Sequence, residues 1–269
     1  MKYGFIGCGN MGGSIAKALS RSTKDIALSD PTDKAAKLAQ ELGCSCADNQ
    51  TVISTCERIF LAVKPQVMAT VLEPLQPLFR ENKPLIITMA AGLTIAQIEK
   101  MVGTSLPIIR IMPNTPVAVG EGMILYCHNS LVTDDILKDF LLDATPCGQW
   151  DMLEEELIDA AGVVSGCGPA YMYMFMDSLA EGAVACGVPK DKALSYAAAT
   201  MIGAARMVQQ DSRTPEELKN AVCSPGGSTI AGVRALEAGA FHETMINCVK
   251  AAYKRNQELG GNAPTTPKE

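Results

Sequence analysis

Two stretches of this sequence could do chemistry, and neither contains a carboxylate, a lysine or a histidine. One is Gly7-Cys8-Gly9-Asn10-Met11-Gly12; the other is Val222-Cys-Ser224-Pro-Gly226-Gly227-Ser228-Thr229-Ile-Ala-Gly232. Successive backbone N–H groups at a glycine-containing helix start bind anions without a cationic side chain. The first stretch has G-x-G-x-x-G spacing, follows an apolar run and opens a helical pattern. There the glycines permit a tight turn and let the backbone approach a pyrophosphate, so it reads as a dinucleotide cradle. The second adds hydroxyls to its glycines within a region otherwise rich in Ala, Met and Leu.

Other candidates stand at strand ends. Ser29-Asp30 lies 18 residues after Gly12. An acid there accepts the adenosine ribose hydroxyls and favours NAD(H), whereas Ser29, Thr32 and Lys34 together would hold a 2′-phosphate. Asp30 could equally be a turn residue before Pro31, and the choice stays open at this level. Ala62-Val63-Lys64-Pro65 ends another strand, at the edge where ligands lie in open α/β sheets. Ala91-Gly92 ends the next, with side chains small enough for a flat ring to lie close. Arg110-Ile-Met-Pro-Asn114-Thr-Pro follows a further strand, and we place Asn114 on the cofactor side; its two prolines could also simply stiffen a connection.

The elements that must position these residues are legible as patterns. Strands are predicted at Lys2–Gly7, Asp25–Ser29, Ile59–Val63, Leu85–Met89 and Ile108–Met112, with helical stretches such as Met11–Ser20, Lys34–Leu42 and Thr94–Met101 between them. This alternation implies an α/β fold with a doubly wound, mostly parallel Rossmann-type sheet over residues 1–152. Gly120–Tyr126, Asp134–Leu142 and Cys147–Asp151 add a strand, a helix and a closing strand. Residues 153–260 then read as all-α, with helices at Glu154–Val164, Pro169–Cys186, Asp191–Gln210, Thr214–Val222, Ser228–Ala238 and Glu243–Leu259. Pro225 and the glycines before Ser228 read as a helix-start turn with a capping hydroxyl. Small side chains throughout suggest a tightly packed bundle, and residues 261–269 a flexible tail.

The 269 residues carry a net charge of −6, which argues against a nucleic-acid or anionic-membrane surface. No uncharged apolar run reaches the roughly 18 residues of a membrane span. The ten cysteines stand mostly alone, without C-x-x-C pairs or histidine partners. They read as reduced, core-filling thiols of a cytoplasmic protein without a metal site.

The segment Ser165-Gly-Cys167-Gly168-Pro169-Ala-Tyr171 is expected to join two helices. Hydroxy-acid dehydrogenases of this build need a general base, often a lysine one turn after such a segment, and here Tyr171, Met172 and Tyr173 stand there. Oxidising an alcohol requires removal of its proton; reducing a protonated imine requires no strong acid or base at the reacting carbon. SGCGPAY and VCSPGGSTIAGVRALE, with GFIGCGNMG, AVKPQ, AAG and MPNTP, resemble the pyrroline-5-carboxylate reductase family from the N-terminus to about Leu259.

That resemblance implies reduction of the cyclic imine 1-pyrroline-5-carboxylate to L-proline. The hydride donor would be NADPH, with NADH possible, and the helical domains would interlock as a homodimer or a larger ring. By position, it implies that Gly7, Gly9, Asn10, Met11 and Gly12 hold the pyrophosphate and that Ser29, Asp30 and Asn49 lie at the adenosine end. Ala62, Val63, Lys64 and Pro65 would line the cofactor, and Ala91 and Gly92 would meet the nicotinamide. Val222, Gly226, Gly227, Ser228 and Thr229 would bind substrate, with N–H groups from Gly226 to Thr229 on its carboxylate. Thr229 would contact the ring nitrogen, and Ser224 would shape the loop. Cys223, Ser228 and Cys167 replace hydroxyl or small residues commoner in the family. The site is expected in the cleft between the two domains, with the loop contributed by the same or the neighbouring subunit. A keto- or hydroxy-acid dehydrogenase, a non-catalytic dinucleotide-binding regulator and a reductase of a six-membered cyclic imine are the rival readings.

Overall fold

The computed structural model describes residues 1–259, so the expected tail at 261–269 lies outside the described residues. In chain order the elements are β1 (Tyr3–Ile6), α1 (Asn10–Leu19), β2 (Ile26–Ser29), α2 (Lys34–Leu42), β3 (Ser45–Cys46), α3 (Asn49–Thr55), β4 (Arg58–Leu61), α4 (Pro65–Leu72), α5 (Gln76–Asn82), β5 (Leu85–Thr88), α6 (Ile95–Val102), β6 (Ile108–Met112), β7 (Gly122–His128), α7 (Asp134–Asp143) and β8 (Gly148–Met152). There follow α8 (Glu155–Ala185), α9 (Lys190–Gln210), α10 (Pro215–Ala221), α11 (Ser228–Ala238) and α12 (Phe241–Leu259).

The eight strands form one sheet in the order β3-β2-β1-β4-β5-β6-β7-β8. All neighbours are parallel except β6 and β7. Its first six strands follow the doubly wound order, with the reversal between β1 and β4 where a dinucleotide crosses. The central strands β1, β2, β4 and β5 are buried at every position, which is why they read as continuous apolar runs. One core packs Phe5 on Phe60, ring centroids 4.4 Å apart, with Tyr3, Leu28, Ile109 and Phe140; the other gathers Ile6, Ile59, Leu61, Phe79 and Ile108. The sheet's strands end within two residues of their predicted limits. The two-residue strand β3 and the short helices α3, α4 and α5 carry too little periodicity to be separated by pattern.

Two expectations for the helical half are corrected. The predicted helices on either side of Gly166–Gly168 are one helix of 31 residues, α8, with Pro169 inside it. Proline lacks the N–H that would bond the carbonyl four residues back, so Ser165 O loses its helical partner. Asn114 supplies the replacement: its Nδ2 donates to Ser165 O at 3.0 Å. A side chain 51 residues earlier thus lets the helix run through a sequence that locally reads as a break.

The chain divides into two compact units, residues 1–167 with residues 252–259, and residues 168–251. The division falls about three to four helical turns into α8, beyond residue 152, and Ile158, Gly162 and Val163 in the first part of α8 are buried in the first unit. In the second unit the tight bundle is not completed within the chain. Only Ala180, Ala193 and Ala197 form a buried cluster there, while Tyr173 (57% exposed), Met174 (71%), Leu194 (53%) and Tyr196 (57%) face outward. All ten cysteines carry free thiols, but only Cys8, Cys56, Cys127 and Cys147 are buried, so core filling describes four of them. Among the described residues no helix is long and apolar enough to cross a membrane, and no group of three or more His, Cys, Asp or Glu is placed to hold a metal.

Candidate active site

The chain leaves β1 and turns at Gly7, whose φ is +102°. A Cβ there would sit 2.8 Å from the Ala62 carbonyl, and one on Gly12 would sit 2.5 Å from Gly7 O and 2.7 Å from Ala62 Cβ. Gly9 differs: nothing lies within 4 Å of an added Cβ, and as N-cap of α1 it offers no side-chain cap. The first intrahelical bond of α1 runs from Gly13 N–H to Gly9 O, so the amides of Asn10, Met11 and Gly12 remain as donors. Two glycines therefore serve close packing, and the third leaves an open approach to uncapped amides. That arrangement fits a pyrophosphate.

Asp30, at the end of β2, is occupied within the chain. Its Oδ2 accepts the Cys8 N–H at 2.8 Å, and its Oδ1 accepts from the Thr32 amide and hydroxyl at 3.0 and 2.6 Å. The turn reading of Asp30 thus holds, and the same carboxylate braces the glycine loop. Partial burial raises its pKa, but the hydrogen bonds from Thr32 and Cys8 outweigh this and hold the carboxyl below its ordinary value. Burial, reinforced by the Asp30 charge, pushes the neighbouring Cys8 thiol up to about 12, which makes it unreactive at neutral pH.

Ser29 Oγ donates to Asn49 Oδ1 at 2.7 Å, joining the end of β2 to the first turn of α3. Asn49 lines a cavity of about 450 Å³ with Asp48, Gln50, Thr70 and Val71. Lys64 is exposed at the N-cap of α4, directly before Pro65 at its first position, and makes no ion pair with a described residue. Ala62 and Val63 are half-buried beside it, Ala91 is exposed, and Gly92 is half-buried at φ +75°. Asn114 is 7% exposed; besides its bond to Ser165 O, its Oδ1 accepts the Met123 N–H at 3.0 Å. Asn114 thus ties β7 and α8 together.

In the second unit the chain from α10 to α11 forms the other glycine loop. Gly226 has φ +74°, and Gly227 N–H donates to Ser224 O at 3.0 Å. A Cβ on Gly227 would meet Ser224 Oγ at 2.6 Å, so the Ser224 side chain and the glycine specify each other. Gly227 is the N-cap of α11, and no hydroxyl caps the helix, contrary to the expected capping side chain. The expected run of donors from Gly226 to Thr229 is also interrupted, because the Gly227 amide is used in the turn. The first bond of α11 runs from Ala231 N–H to Gly227 O, leaving the Ser228 and Thr229 amides free at an exposed helix start. Val222 is the exposed C-cap of α10, and the Thr229 hydroxyl is exposed in the first turn of α11. These donors suit a carboxylate, beside a hydroxyl and without a general base.

Pyrroline-5-carboxylate reductase 3 of Danio rerio is 39% identical to this chain, over 97% of it and 92% of the relative. The chain belongs to the pyrroline-5-carboxylate reductase family. It is accordingly an oxidoreductase, with a nicotinamide-cofactor fold. The Escherichia coli pyrroline-5-carboxylate reductase is 37% identical over 96% of this chain and 98% of its own. The family model for pyrroline-5-carboxylate reductase dimerisation matches residues 155–259, and one for NADP oxidoreductase, coenzyme F420-dependent, matches residues 2–92. The crystal structure of the Plasmodium falciparum pyrroline carboxylate reductase with NADP bound aligns at a TM-score of 0.88 and 32% identity, covering 97% of this chain and 98% of that one.

One feature near the candidate site escaped the sequence reading. Arg110 lies in β6 at 1% exposure, paired with Glu155 and Asp159 of α8. An arginine within the β-branched run Ile108-Ile-Arg-Ile-Met was the available signal, since a buried charge demands partners. Its partners lie 45 and 49 residues away, beyond the reach of local pattern.

Proposed function

We propose that this chain reduces 1-pyrroline-5-carboxylate to L-proline, with NADPH preferred as hydride donor and NADH as the alternative. The observation that carries the reading is the start of α11, where the Ser228 and Thr229 amides are free at an uncapped helix terminus beside the Thr229 hydroxyl. The substrate has a carboxylate for those amides and a ring nitrogen for the Thr229 hydroxyl. Once protonated, its C=N carbon accepts hydride without a side-chain base. That chemistry accommodates the missing lysine which an alcohol dehydrogenase of this build would need.

The bound cofactor supplies the hydride. The amides of Asn10, Met11 and Gly12 with the Gly7–Gly9 turn hold its pyrophosphate, and Ser29, Asp30 and Asn49 its adenosine end. Ala62, Val63, Lys64 and Pro65 line its length, and Ala91 and Gly92 admit the nicotinamide. Engagement of both Asp30 oxygens by Cys8 and Thr32, with Lys34 close by, supports the phosphorylated cofactor. Ser228 and Thr229 bind the carboxylate, Ser224 holds the turn, and the Thr229 hydroxyl orients the nitrogen; orientation of this kind accounts for much of a hydride-transfer rate.

The decisive assay follows oxidation of NADPH and of NADH in the presence of 1-pyrroline-5-carboxylate. Turnover should be faster with NADPH, and Thr229→Ala should lower kcat/KM about tenfold or more, the worth of an oriented hydrogen bond near a charge. Wild-type kcat/KM in that variant would remove Thr229 from the mechanism.

Self-association accompanies the reading. Tyr173, Met174, Leu194 and Tyr196 expose more apolar surface than an isolated helical unit in water readily carries, and a second copy is the partner that would cover it. Leu194→Asp should therefore shift the protein toward monomer in sedimentation velocity, because a carboxylate would be buried without a partner. An unchanged sedimentation coefficient would place the contact elsewhere.

A further inference from the structure

The loop after β5 is fixed at its exit by a carboxylate from a distant part of the chain. Ala90, Ala91, Gly92 and Leu93 form a single turn, closed by the Leu93 N–H on Ala90 O at 3.3 Å, with Gly92 in the left-handed region. One long bond gives such a turn little stiffness of its own. Its exit is Thr94, the N-cap of α6, where a reciprocal box pairs the Thr94 side chain with the Gln97 amide and the Gln97 side chain with the Thr94 amide.

The next amide, on Ile95, lies outside that box. It donates to Glu155 Oε1 at 2.7 Å, and Ile95 is only 8% exposed, so water is a poor substitute. The first turn of α6 contains no acidic residue, and Glu155 supplies the negative charge that a helix N-terminus favours. Arg110 holds Glu155 in turn: Nη1 donates to the same Oε1 at 3.3 Å, and Nη2 to Asp159 Oδ1 at 2.7 Å. Arg110 Nε has no hydrogen-bond partner, so these two carboxylates, one helical turn apart on α8, are what anchor the guanidinium. Gly92, Thr94, Arg110, Glu155 and Asp159 border one cavity of about 270 Å³.

We infer that Glu155 is a positioning residue for the 90–94 turn, held by Arg110 so that the Ile95 amide, and through it Ala91 and Gly92, keep one conformation. This rests on the proposed reading that Ala91 and Gly92 face the nicotinamide. A residue that only stabilised the fold would affect both ends of the cofactor alike; Glu155 acts on the nicotinamide end.

The test compares Glu155→Ala and Glu155→Gln in the full chain. It measures amide hydrogen exchange of the peptide spanning residues 88–98, the Kd of the adenosine-end fragment 2′,5′-ADP, kcat, and the primary isotope effect with 4-deuterated NADPH. In Glu155→Ala, exchange at Ile95 should quicken about tenfold and kcat should fall about tenfold with a larger isotope effect, while the 2′,5′-ADP Kd stays within about twofold. Glu155→Gln keeps an oxygen for the Ile95 N–H and should recover most of kcat, and it serves as the second probe if the alanine variant folds poorly. Unchanged Ile95 exchange overturns the tie itself and leaves the nicotinamide reading standing. Faster exchange with unchanged kcat overturns the positioning role by removing the reading that Ala91 and Gly92 meet the nicotinamide. Loss of 2′,5′-ADP affinity in step with kcat reduces Glu155 to a structural residue and overturns it as well.

Discussion

Replacing Ser228 with proline should raise KM for 1-pyrroline-5-carboxylate by about 10- to 100-fold and leave α11 folded. Proline at the first helical position removes one N–H and fits the helix, since that amide has no intrahelical partner. The residue before it, Gly227, already has φ −78° and ψ 168°, the extended conformation that proline demands of its predecessor. The substitution thus subtracts a single backbone donor from the carboxylate site, together with the Ser228 hydroxyl. A hydrogen bond to a charged group contributes about 1.5–3 kcal/mol, which corresponds to the stated loss. Ser228→Ala, which keeps the N–H and discards only the hydroxyl, should remain within about threefold of wild type. Steady-state kinetics with circular dichroism on both variants makes the comparison. Wild-type KM in the proline variant would show that the α11 terminus does not bind the carboxylate.

Equally large effects are expected in the other glycine loop, where two substitutions should part company. Gly12→Val places a Cβ 2.5 Å from Gly7 O and 2.7 Å from Ala62 Cβ. Overpacking of this kind costs about 1–3 kcal/mol, and relief requires the Gly7–Gly9 turn to move away from β4. The variant should melt several degrees lower and bind NADPH at least about 100-fold more weakly. Gly9→Ala puts its methyl group into open space, with nothing within 4 Å. Its melting temperature should match wild type, yet its NADPH affinity should fall, because the methyl group occupies the approach to the uncapped amides. Thermal melts and NADPH fluorescence titrations separate the two. A Gly9→Ala protein with wild-type affinity would mean that the pyrophosphate lies elsewhere.

The glycines behave so differently because they meet different neighbours, and this marks the limit of what pattern conveys. G-x-G-x-x-G after an apolar run was enough to place a strand, a turn and a helix in order. Which glycine packs on Ala62 and which faces outward depends on β4, some fifty residues later. Asp30 shows the same divide. Its place at a strand end was readable, but its commitment to the Cys8 amide arises from the parallel pairing of β1 with β2.

The sequence by itself determined the alternation of strands and helices, the glycine loop after β1, the loop before α11 and the family they resemble. These follow from short-range causes: side-chain periodicity, glycine and proline backbone preferences, and residue types adjacent in the chain. Only the tertiary structure decided that α8 runs through Pro169, that Arg110 has carboxylate partners, and that Glu155 reaches the Ile95 amide. In each case a polar group that local pattern leaves without a partner is satisfied from 45 to 60 residues away. The outward apolar face of the second unit follows the same logic, because its small and apolar residues specify helices without specifying what covers them.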